Sequence, residues 1–542
     1  MSKEIVFNQE AREKIKSGID KVANIVGVTL DPRGRNVLIR KSWGTAEPTK
    51  DGVTVARELS FKDHFEDVGA RLCTQAASKT NDSVGDATTT STILTQSIIA
   101  EGFKYVNSGV NPVSLKNGID FAVSHVVDYI NSQHKKINHE NLWAIQQVAT
   151  ISANNSEIGK IVADAFHSAG ADGVVTFEES KGRDTVIETT EGFQVDRGYI
   201  SPYFITNGEK MTCEYEDCLI LFWDKRITTM QELIPVLKSV AVAKKPLLIV
   251  ADDVELDPLS LLVENKLKGN VQVVAIKCPG FGERKRNLME DMALLTGGTY
   301  YTEEMGKKLD NISVADLGTA KKITVSKDST TIIGGGGDKE KISEHVKNLK
   351  KMALESDSKT DLEKYAERVA KLSGSVAIIK IGASIDSEMR DKKYRYEDAI
   401  SATKAALGEQ GVIAGGGTVL FGARKHLTKL MKKTMDPDLR LGISIVEKSL
   451  SAPLMKILEN AGFDVELVNK IVGAVSNGKG YDGRTGKVIP DMYEAGIIDP
   501  TKAVVEAVYN ASAVASIFLS TEAIIVDEPS EEKNSNPYMQ GY

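Results

Sequence analysis

The feature that most limits how this chain can fold is a change of apolar spacing along it. Near the start, apolar side chains recur at steps of three and four: Ala11, Ile15, Ile19, Val22 and Val26 fall on one face of a helix expected over about 8–30. Pro32 and Gly34 in DPRGRN stop it, because proline restricts the preceding residue and glycine allows a turn. NVLIR then reads as a strand, and EPTKDGVTVARE as a turn followed by a strand or helix start. Helical patterns continue in FEDVGARLCTQAASK, TSTILTQSIIAEGFKYV and NGIDFAVSHVVDYI, and helices dominate again over about 396–475. From about residue 172 the texture is different, with short β-like runs punctuated by glycine: GVVTF, DTVIETTEGFQV, GYISPYFI and CLILFW. KPLLIVAD and VQVVAIKC read as buried strands on either side of an apolar-faced helix in LDPLSLLVENKLKG, an order that predicts an α/β domain. IIGGGGDK reads as a flexible break before a charged helix pair over about 343–372, and SVAIIKIGA as one more strand. The alike helical ends suggest one discontinuous domain, and the polar, acidic ending DEPSEEKNSNPYMQGY is expected to be disordered.

At 542 residues the chain exceeds what one core can serve. Its 41% apolar and 26% charged residues fit a soluble globular protein. A net charge of −7 with no long basic run speaks against nucleic acid as a partner. MSKEIVFNQEAREK lacks the apolar core of a secretory signal, and no apolar stretch approaches the ~20 residues that span a bilayer, so no membrane is expected. Cys73, Cys213, Cys218 and Cys278 form no C-x-x-C pair, which argues against a disulfide framework or zinc site and for a reducing cytoplasm. The histidines are scattered, and the nearest pair, His134 and His139, fits no ligand spacing.

Four stretches could carry chemistry. In NDSVGDATTTSTILTQSIIAEGF (81–103), Gly85, Asp86 and Ala87 precede three threonines at the mouth of an apolar helix. One reading is an ordinary capped helix with a flexible entry. The other is an anion site at the helix N-terminus, with the aspartate holding a metal ion that accompanies phosphate. LDPRGRN (30–36) and TKDGVT (49–54) are turns that set charged residues beside glycine. In GVIAGGGTVLFGARKHL (411–427), Gly415–Gly417 precede a helix and suit either close ligand approach or close helix packing. Neither a Walker A loop nor a Rossmann G-x-G-x-x-G is present.

Together these stretches resemble a known family. VTLDPRGRNV, TKDGVTVARE, VGDATTTSTIL, ATISANN, RGYISPYF, KPLLIVADDVE, PGFGERKR, LTGG, RVAKLSG, YEDAISATKAA, VIAGGG and GIIDPTK occur in the order found in bacterial-type (group I) chaperonins. The resemblance to GroEL-like chaperonins covers residues 2–526. It implies a multi-domain α and α/β fold: an all-α equatorial domain (1–133 and 410–526), a small α/β intermediate domain (134–190 and 377–409), an α/β apical domain (191–376) and a disordered tail (527–542). It also implies an ATP-dependent chaperone that binds non-native polypeptides inside a ring, usually of sevenfold symmetry, under a GroES-like co-chaperonin lid.

Carried over by position, the loop at Asp86, Ala87, Thr88, Thr89 and Thr90 would wrap the ATP phosphates, with Asp86 on Mg2+ and K+ as a further cofactor. Asp51 and Asp398 would serve hydrolysis, Asp398 swinging in to orient the attacking water. Thr29, Leu30 and Lys50 would line the phosphate side, Gly415 and Gly416 the nucleoside, and Ile497 and Asp499 the base and ribose, with Asp31, Pro32, Ile151 and Asp482 also in the nucleotide set. Tyr199, Tyr203, Phe204, Ile234, Leu237, Leu259, Val263 and Glu264 match the positions that hold clients or the lid.

The chain departs from the family pattern in several places. Ala87 and Asp31 each replace a usual glycine, Glu264 an apolar residue and Met455 a frequent basic one. The tail lacks Gly-Gly-Met repeats, and ALGEQGVIAGGG is one residue longer than usual. A carboxylate at position 31, some 4 Å from a phosphate, would be repelled by roughly 4 kcal/mol unless it points to solvent or reaches the magnesium. The second reading is therefore a divergent paralogue with weak or no hydrolysis that holds polypeptides. A third, a metabolite kinase using the Gly-Asp-Ala-Thr loop, predicts a small oligomer with a polar substrate pocket.

Overall fold

The computed structural model describes residues 2–40, 46–170, 173–180, 182–208, 210–302, 306, 308–355, 359–408, 410–463, 465–475 and 479–527; of the expected disordered tail, Asp527 instead ends a strand and the rest lies outside the described residues. The chain forms two compact units, Met1–Ala163 with Ala383–Tyr542, and Asp164–Gly382.

The first unit is helical. Helix Asn8–Gly27 buries Ala11, Ile15, Ile19, Val22 and Val26, the stripe that the spacing marks. His64–Val84 starts at Asp63, whose carboxylate accepts the N–H of Phe65 and of Glu66; Pro112–Ser132 starts at Asn111, with proline in its first turn. The two chain ends meet as an antiparallel pair, Lys3–Phe7 with Ala523–Asp527, with Ile5 opposite Ile525. Helix Thr501–Ser520 packs against helices Thr88–Asn107 and Pro112–Ser132 and puts Val508, Ala511, Ala515 and Phe518 into the core. This helix corrects one expectation: with mean hydropathy 1.5 over 18 residues it is long and apolar enough to cross a membrane. Its apolarity is accounted for by burial inside a helical core, which covers 67% of that window.

The second unit is built on a nine-stranded sheet. Its strands lie in the order Val174–Glu179, Ser375–Ile381, Val186–Val195, Thr330–Gly335, Gly318–Val325, Cys213–Ile227, Leu247–Val254 and Val273–Lys277, with Tyr300–Tyr301 also beside Cys213–Ile227. Leu247–Val254 runs parallel to both its neighbours, and helix Leu256–Leu267 connects it to Val273–Lys277, as the strand–helix–strand pattern predicts. Being covered on both faces, Leu247–Ala251 and Val273–Ile276 are buried without a break.

Two local expectations fail here. GYISPYFI is not a strand: Tyr199 makes a single bridge to Ile276, and Pro202–Phe204 form a 3-10 turn under the Ser201 hydroxyl. Proline lacks the N–H a ladder needs and presets this turn. IIGGGGDK is not wholly a break, since Gly334 and Gly335 complete strand Thr330–Gly335 before helix Lys339–Glu355 begins.

Candidate functional site

The loop joining His64–Val84 to Thr88–Asn107 takes two left-handed residues, Gly85 (φ 68°) and Ala87 (φ 60°). The second is costly for alanine, about 1–2 kcal/mol, because its β-carbon crowds the following carbonyl. Asp86 folds back to accept the Ala87 N–H (2.6 Å). Ala87 occupies the N-cap and offers no side-chain cap, so the first-turn N–H groups of Thr88, Thr89 and Thr90 face outward at the positive end of the helix dipole.

Three further elements converge on this loop. Asp51 caps helix Gly52–Glu58 by accepting from Val53 N (3.2 Å), Thr54 N (3.0 Å) and the Thr54 hydroxyl. That cap abuts the threonines, since a β-carbon on Gly52 would sit 2.3 Å from Thr89 Oγ1. A β-carbon on Gly85 would sit 2.5 Å from Ser401 Cβ, so helix Asp386–Leu407, which carries Asp398, is docked on the loop. Strands Val412–Ala414 and Ile498–Pro500 pair with Ile413 opposite Asp499, which brings the glycine turn beside that carboxylate. A β-carbon on Gly415 would lie 2.7 Å from Asp499 Oδ1, and one on Gly416 (φ 61°) would meet Met492 Cε at 3.0 Å and Ile497 only at 3.9 Å.

Asp86, Asp398 and Asp499 keep some accessible surface yet are walled in by protein, as in the sides of a recess. Burial pushes the Asp86 carboxyl up, against the Ala87 N–H and Ser152 hydroxyl that favour its charge. Asp398 is pushed well up by burial, then by Asp51 and Asp86. Asp499 rises to about 7 through burial and Asp86, opposed by a hydrogen bond from the Gly416 backbone. Crowded like charges in a low-dielectric recess raise one another's affinity for protons or for a cation. Among the described residues no three acidic, histidine or cysteine side chains converge closely enough to hold a metal alone. That donor set fits Mg2+ held by one or two carboxylates and completed by phosphate oxygens, rather than an all-protein cage.

Segment 29–33 packs against the hairpin Gly480–Asp482 with Lys487–Ile489, Asp31 lying on Gly483. Thr29 is buried and donates its hydroxyl to Val26 O (2.8 Å), and the Asn460 amide holds the Gly27 (3.0 Å) and Leu30 (2.9 Å) carbonyls. Lys50 is pulled down by burial and by Arg395, with Asp391 and Asp31 opposing. Ile151, beside Ser152 on helix Leu142–Ala153, and Pro32 are half-buried. The expected nucleotide residues thus all lie in the helical unit.

The expected client residues all lie in the α/β unit but divide by exposure. Tyr203 is 65% and Ile234 38% exposed, and Tyr199, Leu259 and Val263 are half-buried. Phe204 and Leu237 are buried in the core and present no surface in this structure. Lys266 Nζ donates to the carbonyls of Tyr203 (2.8 Å) and Ile205 (2.9 Å), tying the 3-10 turn to helix Leu256–Leu267. On that helix Leu256 and Leu267 are exposed, while Glu264 is ion-paired with Lys268 one turn on.

Three residues at the loop were not singled out from sequence: Gly52, Ser152 and Ser401. All fall inside quoted stretches, but nothing in their local spacing says that they touch residues 85–89.

Residues 22–529 match the TCP-1/cpn60 chaperonin family. Among solved structures, the chain is similar to the chaperonin gp146 from bacteriophage EL 2 (Pseudomonas aeruginosa), determined in the presence of ATP-BeFx. The TM-score is 0.71 at 21% identity, over 97% of this chain and 99% of that one. With nearly its whole length matched by the family and its fold shared with a solved chaperonin, this chain belongs to the TCP-1/cpn60 chaperonin family.

Proposed function

We propose that this ATP-dependent chaperone binds and hydrolyses ATP in the acidic recess of its helical unit, and binds non-native polypeptide on the exposed apolar surface of its α/β unit. The observation that carries the reading is the meeting of Asp51, Asp86, Asp398 and Asp499, from four separate segments, at an uncapped helix start. Phosphoryl transfer needs positioning and charge neutralisation more than covalent chemistry. The outward N–H groups and hydroxyls of Thr88–Thr90 would take phosphate oxygens, with Thr29, Leu30 and Lys50 on the same side. Asp86 would hold Mg2+, which when bound supplies charge neutralisation between phosphate oxygens. Asp398 would orient the attacking water and accept its hydrogen bond, with Asp51 beside it. Gly415, Gly416, Ile497 and Asp499 would enclose the nucleoside, with Ile151, Pro32 and Asp482 at the margins. The neighbour gp146 was crystallised with a nucleotide analogue, which is in keeping with this assignment.

The finer assignments follow from the family pattern: three domains divided as above, a sevenfold ring, a GroES-like lid, K+ as a second cation, and a cytoplasmic home. The client surface would centre on Tyr203, Ile234, Leu259 and Val263, bounded by Glu264. A pure holding protein is not favoured, because membership of the family and the intact aspartate set both point to an ATP-driven cycle.

The test is steady-state ATP hydrolysis by the assembled protein with Mg2+ and K+, beside Asp398→Ala. Turnover that the substitution abolishes, with nucleotide binding retained, is expected. Turnover no higher than that of the variant would overturn the hydrolytic assignment and leave a holding protein.

A further inference from the structure

Segment 29–36 and the 480–489 hairpin are joined through one carboxylate. Asp31 has a left-handed backbone (φ 78°), and its side chain lies flat on Gly483, where a β-carbon would fall 2.2 Å from Oδ2 and 2.5 Å from Oδ1. Arg33 reaches the same hairpin at Gly486. The Arg33 N–H serves one side of the carboxylate, while Oδ2 is buried with no hydrogen-bond partner. The neighbouring Asp482 is well supplied: it accepts from Arg484 N (2.9 Å), Thr485 N (3.3 Å) and the Thr485 hydroxyl (2.6 Å). Of two adjacent carboxyls, the one short of donors takes the proton, because a bare buried oxygen is the costlier place for charge. The charged and titratable groups facing Asp31 are Asp482, Arg33, Arg484, Lys50 and Tyr481. Burial and Asp482 prevail over the arginines and push the Asp31 carboxyl to about 6.

We propose that the protonation state of Asp31 sets this chain's affinity for nucleoside triphosphate, the neutral acid admitting the phosphates beside Thr29 and Lys50 and the ionised acid repelling them. The inference rests on the reading that this crevice holds ATP. At a position that takes a left-handed turn, a carboxylate in place of hydrogen converts a passive bend into a proton-linked gate.

The test is calorimetric binding of the hydrolysis-resistant triphosphate AMP-PNP, with saturating Mg2+, to the assembled protein from about pH 5 to about pH 8, spanning the titration of an acid raised in this way. Wild type is compared with Asp31→Asn and with Gly483→Ala. Asparagine tolerates the left-handed backbone and cannot ionise. Comparison with it at each pH removes the ionisation of the nucleotide itself. Wild type should weaken by about tenfold relative to Asp31→Asn as pH rises across the range, one decade for each unit by which bound phosphate raises the acid further. In Gly483→Ala the new methyl evicts the carboxylate toward water, so the step should move to lower pH. Parallel profiles for wild type and Asp31→Asn, with both still binding, would overturn the inference and leave the nucleotide site standing. No binding by either at any pH would overturn both.

Discussion

Replacing Asp499 by asparagine should stabilise the nucleotide-free, metal-free protein, and only above acid pH. The folded chain raises this carboxyl from 3.8 to about 7, through burial first and Asp86 second. Between those values the folded state holds a proton that the unfolded chain has released. Stability therefore falls as pH rises through the window and is level above it. Three units at ~1.4 kcal/mol each give about 4 kcal/mol as an upper bound. Because the carboxylate keeps some accessible surface, about 2 kcal/mol is the working figure. Asparagine keeps an oxygen to accept the Gly416 backbone hydrogen bond and carries no charge. The stability gap between variant and wild type should thus be near zero at about pH 4 and open to ~2–4 kcal/mol at about pH 8. Urea unfolding in chelator, followed by fluorescence at four or five pH values, measures it; the chelator matters because a bound cation would relieve the same repulsion. A gap independent of pH would show that the effect is packing rather than charge. A variant less stable than wild type at pH 8 would refute the account of a strained acidic recess.

Two other substitutions test different parts of the structure. Ala87→Gly removes the β-carbon from a left-handed position and should stabilise the helical unit by about 1 kcal/mol after the extra freedom of glycine in the unfolded chain is counted, read as a higher urea midpoint. Asp291→Ala in the α/β unit deletes the acceptor of a paired contact from Arg368 (2.8 and 2.7 Å), where Asp291 is 5% exposed. Leaving that guanidinium without its carboxylate, beside only the His345 ring (3.2 Å), should cost about 3–5 kcal/mol, seen as early proteolysis of helices Gly282–Thr296 and Lys359–Ser373, which the pair ties together.

The sequence was most legible where one physical rule governs a segment. The face Ala11–Ile15–Ile19–Val22–Val26 is buried because a helix on a core needs such a stripe, and KPLLIVAD and VQVVAIKC are buried on both faces because parallel strands are. It was least legible where two rules compete. GYISPYFI has strand-like composition, but Pro202 overrides it; Thr501–Ser520 has membrane-like composition, but its setting is a packed core. At the candidate site each local signal had an ordinary alternative, and it was the order of many stretches that singled out Asp51, Asp86, Asp398 and Asp499. Their meeting is a long-range fact, as are the contacts of Gly52, Ser152 and Ser401 with the loop.

The costs in this structure are not spread evenly, and that bears on what the recess is for. Among the other non-glycine residues with positive φ, Asn154 and Lys244 each close a helix C-terminus, where a left-handed residue completes the backbone hydrogen bonding, while Asn8, Met211 and Asp217 lie away from the recess and bring no buried charge with them. Ala87 stands at a helix N-terminus, where its carbonyl takes the Ser91 N–H but its side chain supplies no cap to the first-turn N–H groups. Asp31 adds a strained backbone and a buried oxygen without a partner, and Asp86, Asp398 and Asp499 are each raised in pKa in the same unit. Packing alone gives no return for this combination, since a capped helix and neutral side chains would fill the space at lower free energy. What the arrangement does provide is open N–H donors near carboxylates, and under the proposed reading an anion carrying its own metal ion would answer both at once. On the proposed reading, strain at Ala87 and charge at Asp499 are two halves of one requirement: the recess is left unsatisfied by folding, and ligand binding would complete it.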